Sequence, residues 1–258
     1  MAGIGFRLNQ LFEKKGVFAK TRAYGYTALV TIGPMILGVL ILLGISFAAR
    51  LGGLDDHSRE LTNSMITYSL LYALMQTSGF NMILTRYTSD MLYLDRYDEV
   101  IGSFYGGSSI MVIMTVLIYG VFLHFSGIAL IYRLLSLWLA LIMVIVWTEV
   151  IYLTAMKNYR VIVYAFLISF LSGFLLALIF VALGKVSVVT MMLSVILTFG
   201  MIMVWYYCSI DSYFPDNSGS SFAFMRWFDR YPQLALTGFL LHLSLFSHIV
   251  LPNSKQFC

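Results

Sequence analysis

The sequence predicts an all-α, polytopic membrane protein, and three observations support that fold class. At least six apolar stretches follow one another along the chain, and each is close to the roughly 20 residues that an α-helix needs to cross a bilayer core about 30 Å thick. Hydrophobic residues make up 60% of the 258 residues and charged residues only 11%, whereas soluble domains carry about 25% charged residues. The mean hydropathy is +0.87. A chain of this length has room for six or seven such helices and for little else.

Seven segments are predicted to form membrane helices, of which the seventh is barely long enough. They run from Tyr26 to Ala49, Met65 to Leu84, Ser108 to Phe125, Ile128 to Leu153, Val161 to Gly184, Val188 to Cys208 and Leu234 to Leu251. Gly33-Pro34 lies inside the first segment and predicts a kink there. Short polar interruptions at Ser126-Gly127 and Lys185-Val186 predict tight returns between neighbouring helices.

These spans divide the chain into four parts. Residues 1–25 mix apolar and basic side chains, which suits either an interfacial helix on the anionic inner leaflet or a basic flank that sets topology. Residues 26–208 form the transmembrane bundle, 209–233 a polar cytoplasmic linker, and 234–258 a partial seventh helix and tail. Cys208 and Cys258 form neither a disulfide framework nor a metal-binding spacing.

The distribution of Lys and Arg predicts a cytoplasmic N-terminus. With that orientation, eleven of the 16 Lys and Arg residues fall in inner segments and five in outer segments, as the positive-inside rule requires. The same orientation argues against a seven-helix receptor, whose N-terminus would lie outside. Because the basic residues are scattered over loops, they do not indicate nucleic-acid binding.

Two ionisable residues fall inside the fourth predicted span, where each costs roughly 2.5–3.5 kcal/mol on insertion scales. Glu149 is either a cavity-lining or proton- or ion-coupling carboxylate, or a near-interface carboxylate paired with Lys157 or Arg160. Arg133 lies near the outer end of the same span, so we expect its side chain to extend to the interface.

The most charged inter-helix region is 85–107, which interleaves acids, bases and tyrosines. Arg86 and Asp90 are four residues apart, so they can pair on one face of a helix that continues from the second span. Together with Tyr93, they are candidates for contact with a sugar or a partner protein. The alternative is that the tyrosines simply collect at the lipid interface, as they do in many membrane proteins.

Two further patterns are interpreted as structural or uninformative. Ser169, Gly173 and Ala177 recur every four residues in the fifth span, a spacing that lets two helices approach closely. His242 and His248 are six residues apart and therefore do not share a helix face, which argues against a metal site.

Motifs of known enzyme classes do not occur in the sequence. There is no His-Glu-x-x-His cluster, no Gly-rich phosphate loop and no Gly-x-Ser-x-Gly elbow. We therefore expect no enzymatic activity, no cofactor and no metal. An integral membrane transferase with a few dispersed catalytic residues would escape these tests and stays open as an alternative.

Several short stretches carry a resemblance to a known family. These are Met1-Ala2-Gly3-Ile4-Gly5-Phe6, Arg22-Ala23-Tyr24-Gly25-Tyr26 with Gly33-Pro34, Arg86-Tyr87-Thr88-Ser89-Asp90-Met91-Leu92-Tyr93 with Ser103-Phe104-Tyr105-Gly106, and Arg230-Tyr231-Pro232-Gln233-Leu234. In these stretches the chain resembles the Pel exopolysaccharide exporters (PelG-type), and the similarity runs to about residue 245.

The resemblance implies a member of the multidrug/oligosaccharidyl-lipid/polysaccharide flippase superfamily. Such proteins have two six-helix bundles around a central cavity and work by alternating access. Family members are thought to move an amino-sugar polymer of biofilms across the cytoplasmic (inner) membrane. They do so beside a cytoplasmic glycosyltransferase and membrane partners of the Pel complex, one of which senses cyclic di-GMP. Because the sequence stops in its seventh span, we expect a truncated N-terminal half, one six-helix bundle plus the start of a second.

The function expected from the resemblance is export of an exopolysaccharide. Arg86, Asp90, Tyr93 and Glu149 are the candidates for substrate-pathway or partner contacts. The alternative is a non-transporting membrane scaffold that docks the polysaccharide synthase through residues 85–107 and 209–233.

Overall fold

The computed structural model describes residues 33–156, 159–214 and 221–240, with side chains from residue 39 and again from residue 161. Helices account for nearly all of these residues, and they contain no strand. The helices are α1 (Gly33–Leu51), α2 (Asp56–Tyr93), α3 (Tyr97–Met114), α4 (Gly120–Phe125), α5 (Leu130–Ala155), α6 (Tyr159–Ala182), α7 (Val188–Asp211) and α8 (Met225–Arg230). Residues 232–240 are also helical. The predicted all-α class is therefore confirmed for the described part of the chain.

Four continuous helical stretches are long and apolar enough to cross a membrane. They are Tyr97–Phe125, Leu130–Ala155, Val161–Ala182 and Val188–Asp211, and they contain the third to sixth predicted spans almost entirely. The second predicted span, 65–84, lies inside α2, which has 38 residues but is too polar to be counted with these four. The described part of the first span is helical in α1, of which Val39–Leu51 counts as a shorter apolar helix. The segment 1–25, His242, His248 and the chain beyond 240 lie outside the described residues.

The region 85–107 is helical almost throughout and is not an extended loop. α2 ends at Tyr93 and α3 begins at Tyr97, so only three residues connect them. Within this connection Asp95 has a φ of 55°, a left-handed conformation that aspartate tolerates better than most residues. The charges that suggested a loop lie on helix surfaces at one end of the bundle, where water can solvate them. The predicted linker 209–233 likewise contains the short helix α8.

Both predicted tight returns are present. Gly127 and Gly184 have φ values of 73° and 65°, which glycine adopts without strain. After the second turn, Ser187 caps α7 by accepting a hydrogen bond from the backbone of Thr190 at 3.2 Å. At the start of α2, Asp55 accepts a hydrogen bond from the Ser58 backbone N–H at 3.0 Å, which lowers the pKa of this carboxyl.

α5 is the central helix of the bundle. It packs mainly between α2 and α7, while α6 packs against α7 and α1. Its inward face is fully buried at Leu139 and Met143 and meets Met191 of α7. A buried cluster of hydroxyls also ties α5 to its neighbours: Ser136 of α5 lies 3.1 Å from Ser69 of α2. Such polar contacts within a membrane bundle position helices where lipid supplies no hydrophobic preference.

A π-helical segment, Thr115–Tyr119, joins α3 to α4. A π-helical turn departs from the regular hydrogen-bonding ladder, and polar groups inside a membrane are costly without a partner. Two side chains of α2 bond to carbonyls directly before this segment: Gln76 donates to the Met111 carbonyl at 2.7 Å, and Tyr72 donates to the Met114 carbonyl at 3.3 Å. Polar residues of α2 therefore stabilise an irregular stretch of the neighbouring helix.

The predicted close packing of small residues in the fifth span is confirmed. Ser169 and Ala177 are fully buried, and a Cβ added at Gly173 would lie 1.6 Å from Thr198 Oγ1 and 3.2 Å from the Ser194 carbonyl oxygen of α7. The backbones of α6 and α7 can approach this closely only because position 173 carries no side chain.

Substitution Gly173→Ala is expected to push α6 away from α7. Overpacking of this kind typically costs about 1–3 kcal/mol, and thermal unfolding of the detergent-solubilised protein measures it. Gly200→Ala in α7 is the matched control, since a Cβ there meets nothing within 4 Å. The control should be neutral or slightly stabilising, because alanine favours helix over glycine. Equal stability of the two variants would show that position 173 does not limit the helix contact.

Candidate functional site

Arg86 and Asp90 form the predicted ion pair near the end of α2. Arg86 Nε lies 3.2 Å from Asp90 Oδ1, with 55% of the Arg86 side chain and 28% of the Asp90 side chain exposed. The pair also contacts the segment that contains α8. Asp90 Oδ2 accepts a hydrogen bond from Trp227 Nε1 at 3.1 Å, and the Arg86 guanidinium carbon lies 6.0 Å from the centre of the Tyr231 ring, within reach of a cation–π interaction.

Tyr87, the residue after Arg86, contacts both α3 and α8. Its side chain is fully buried, and its hydroxyl donates to Glu99 Oε2 of α3 at 3.0 Å. The ring meets Trp227 edge-on, with centroids 4.9 Å apart, a geometry that aromatic quadrupoles favour. Glu99 also pairs with Arg96 in the turn between the helices. Tyr87 therefore holds α2, α3 and α8 together at one point.

Two glycines bring the segment 221–240 into backbone contact with the bundle. A Cβ added at Gly106 of α3 would lie 1.8 Å from the Ser221 carbonyl oxygen and 3.3 Å from the Phe224 ring. A Cβ added at Gly238 would lie 2.4 Å from the Ser78 carbonyl oxygen of α2. Neither position can carry a side chain in this arrangement.

These contacts bring together stretches that are far apart in sequence. We call the arrangement the α2–α8 junction, defined by Arg86, Asp90, Gly106, Trp227 and Tyr231. It unites the motif around Arg86 and Asp90, the motif that ends at Gly106, and the motif that contains Tyr231. Three of the stretches that carry the resemblance to the exporter family thus pack against one another at one end of the bundle.

The four candidate residues do not form one site. Arg86 and Asp90 are in contact, whereas Tyr93 lies one turn further along α2 with 88% of its surface exposed. Glu149 is in α5, is fully buried, and takes no part in the junction. The sequence reasoning missed Trp227 as the partner of Asp90, because the two residues are 137 positions apart.

Glu149 is a carboxylate enclosed in a membrane-spanning helix. Neither of its carboxylate oxygens has a hydrogen-bond partner in the described part of the chain. Tyr206 of α7 is close enough to interact with it electrostatically, but the Tyr206 hydroxyl donates to the Ile162 carbonyl at 3.1 Å. Lys157 and the Arg160 side chain lie outside the described residues, so pairing with either of them stays a prediction.

Arg133 in the same helix is close to a protein acceptor. Its Nε donates to the Ile128 carbonyl oxygen at 2.6 Å, at the start of α5. This contact ties the side chain to the turn that precedes the helix, so Arg133 has a structural role here.

Comparison with protein families identifies the chain. The family model described as "PelG: Putative exopolysaccharide Exporter (EPS-E)" matches residues 1–252. Neither the curated proteins nor the solved structures gave a match. The matched region includes all three motifs of the α2–α8 junction and the four apolar membrane helices. This chain is a multi-pass membrane protein that belongs to the PelG exopolysaccharide exporter family.

Proposed function

We propose that the protein is a subunit that exports an exopolysaccharide, an amino-sugar polymer, across the cytoplasmic membrane by alternating access. The observation that carries the proposal is the family match over residues 1–252, in a chain whose described part contains four apolar helices able to span a bilayer. A polymer rich in hydroxyl groups cannot cross hydrocarbon unaided, since each unpaired polar group costs several kcal/mol there.

In this proposal the α2–α8 junction lies at the cytoplasmic end of the bundle, as the distribution of basic residues predicts. The exposed Arg86 and Tyr93 contact the polymer or the synthase that delivers it. Asp90 positions Arg86, because it holds that side chain while being held itself by Trp227. Trp227 and Tyr231 complete the surface around the pair.

The experiment is replacement of Arg86 and Asp90 in cells that secrete the polymer. Arg86→Ala and Asp90→Asn should lower the exported polymer several-fold at equal protein levels. Partly exposed ion pairs contribute only about 0–1 kcal/mol to stability, so such a loss would report function. Arg226→Ala, an exposed arginine of α8 outside the pair, is the matched control. Unchanged export in both variants would remove the pair from the proposal.

Glu149 is proposed as the coupling residue of the transporter. Moving an ionised carboxylate out of water costs several kcal/mol unless a partner compensates, and the described neighbours of Glu149 provide none. In this proposal neither Lys157 nor Arg160 pairs with Glu149, and the side chain carries a bound proton or cation in this conformation. Release of that ion in another conformation would link ion movement to polymer movement.

A scaffold that docks the synthase is the second candidate function. The favouring observation is that the cytoplasmic end carries exposed aromatic and aliphatic side chains, including Tyr93, Phe222 and Met225, on segments 85–107 and 209–233. Exposed clusters of this kind are typical of protein–protein contact sites. Purified protein that captures the cytoplasmic glycosyltransferase but moves no sugar in liposomes would favour the scaffold over the exporter.

A further inference from the structure

Polar residues follow a single face of α2 away from the α2–α8 junction. We call this face the polar stripe, defined by Glu60, Asn63, Thr67, Asn81 and Thr85. Glu60, Asn63 and Thr67 follow one another at three- and four-residue intervals. Asn81 and Thr85 lie on the same face after a gap of 14 positions, in which that face carries Leu71 and Leu74. Each of the five polar residues is exposed or half-buried. They differ from buried polar residues of α2 such as Ser69, which bonds to Ser136 of α5, and Thr77, which bonds to the Ala73 carbonyl of α2 itself.

The polar stripe is not suited to contact with lipid. A helix of 38 residues is about 57 Å long at 1.5 Å per residue, so α2 is long enough to cross the bilayer at the predicted second span. Carboxylate and amide groups exposed to hydrocarbon are costly, and in membrane helices they face a water-filled cavity or the bundle interior. By contrast, exposed positions of α6 such as Leu171 and Ile179 are apolar. Glu60 and Asn63 precede the predicted span 65–84, where water is available to them, and we expect the face of α2 to border water at Thr67 and Asn81 within the span as well.

A cavity of about 540 Å³ lies beside the N-terminal half of the stripe. This volume is within the roughly 300–1,000 Å³ of typical small-molecule sites. Its lining includes Arg59, Glu60, Asn63, Ser64, Thr67 and Tyr68.

The lining groups are largely available to a ligand. Glu60, Ser64 and Thr67 have no side-chain hydrogen bond to other described residues, and the buried Nε of Arg59 has no acceptor among them either. The cavity thus offers a carboxylate and two hydroxyls, whereas the guanidinium of Arg59 pairs with Asp56, another lining residue.

An aromatic surface completes the cavity. The Tyr68 ring is 54% exposed and is supported by Phe122, whose centroid lies 6.2 Å away. A pyranose ring has an apolar C–H face that stacks on aromatic rings and a rim of hydroxyls that bond to carboxylates, amides and guanidinium groups. The lining provides both kinds of contact.

We infer that this cavity is a sugar-binding subsite on the export path, in which Tyr68 stacks with a pyranose unit while Glu60, Asn63 and Thr67 bind its hydroxyls. The inference rests on the proposed export function and names a part of the path that the α2–α8 junction does not include. The polymer would contact successive polar residues of α2 as it moves along the stripe.

The first test is thiol labelling in nanodiscs, in which both faces of the membrane are open to reagent. Cys208→Ser and Cys258→Ser provide a cysteine-free background. Asn63→Cys and Thr67→Cys should then react with a charged maleimide, whereas Leu171→Cys should not. An N-acetylhexosamine oligosaccharide at ten times its Kd should slow the labelling of both stripe positions about tenfold. Leu94→Cys, in the exposed turn after α2, should label at the same rate with and without sugar.

The second test separates the ring of Tyr68 from its hydroxyl. Tyr68→Leu should weaken oligosaccharide binding about five- to tenfold, because it removes the stacking surface, while Tyr68→Phe should bind like the unaltered protein. If Asn63→Cys and Thr67→Cys react as slowly as Leu171→Cys, the assignment of this face to water is wrong. If they react but the oligosaccharide does not slow their labelling, the sugar-binding subsite is wrong. Equal binding by both Tyr68 variants would also overturn it. The export assay in cells tests the proposed function separately, because the amount of exported polymer is measured without reference to where the sugar binds.

Discussion

Substitution Gly106→Ala is expected to detach residues 221–240 from the bundle. The new Cβ would lie 1.8 Å from the backbone carbonyl oxygen of Ser221, and a backbone atom cannot rotate aside as the end of a side chain can. When residue 221 moves away from α3, the contacts of Trp227 with Asp90 and Tyr87 should be lost as well. We expect a destabilisation at or above the upper end of the roughly 1–3 kcal/mol typical of overpacking.

Limited trypsin digestion in detergent measures this detachment, because Arg226 and Arg230 are exposed cleavage sites in the displaced segment. Gly106→Ala should be cut there much faster than the unaltered protein. The neighbouring Gly107→Ala is the matched control, since its Cβ would meet the Leu84 side chain at 3.4 Å and the Phe224 ring at 4.0 Å, both ordinary van der Waals distances. Equal cleavage of the two variants would contradict the close contact between α3 and residue 221.

Substitution Glu149→Gln is expected to lower export of the polymer without lowering the thermal stability of the protein. The amide has nearly the shape of the carboxylate but cannot exchange a proton or bind a cation by charge. The neutral amide has no desolvation cost of a buried carboxylate to offset, so thermal unfolding should occur at the same or a higher temperature. Export should fall by about tenfold or more, within the range of typical coupling between sites.

The identity of the coupled ion follows from a companion experiment. If Glu149 carries a proton, a protonophore should stop export by the unaltered protein, and if it binds sodium, removal of sodium should do so. Full export by Glu149→Gln would instead assign the side chain a purely structural role in α5.

The features that sequence reasoning predicted correctly are local. The Arg86–Asp90 pair depends on a spacing of four residues, and the turns at Gly127 and Gly184 depend on two or three residues each. The close packing at Gly173 was also predictable, because a repeat of small residues restricts how helices can meet. In each case the physical cause lies within one or two helical turns of the chain.

The features that sequence reasoning missed depend on distant contacts. Trp227 and Asp90 are 137 positions apart, and nothing near either residue indicates the other. The region 85–107 was interpreted as a charged inter-helix region in which only the start continues α2, whereas its charges lie on the ends of two helices joined by three residues. α2 as a whole looked like an ordinary apolar span, because the partners that satisfy residues such as Gln76 are in other helices. Its polar stripe can be recognised only in the structure, which shows which polar side chains of α2 are exposed.

The location of the polymer in cells that lack the protein tests the export function most directly. With the glycosyltransferase present at its normal level, we predict that polymer is still synthesised but stays inside the cytoplasmic membrane, and that the unaltered protein restores secretion. Undiminished secretion without the protein would contradict the proposed function. Absence of polymer from both compartments would contradict it as well, since a protein needed for synthesis and not for export is a scaffold.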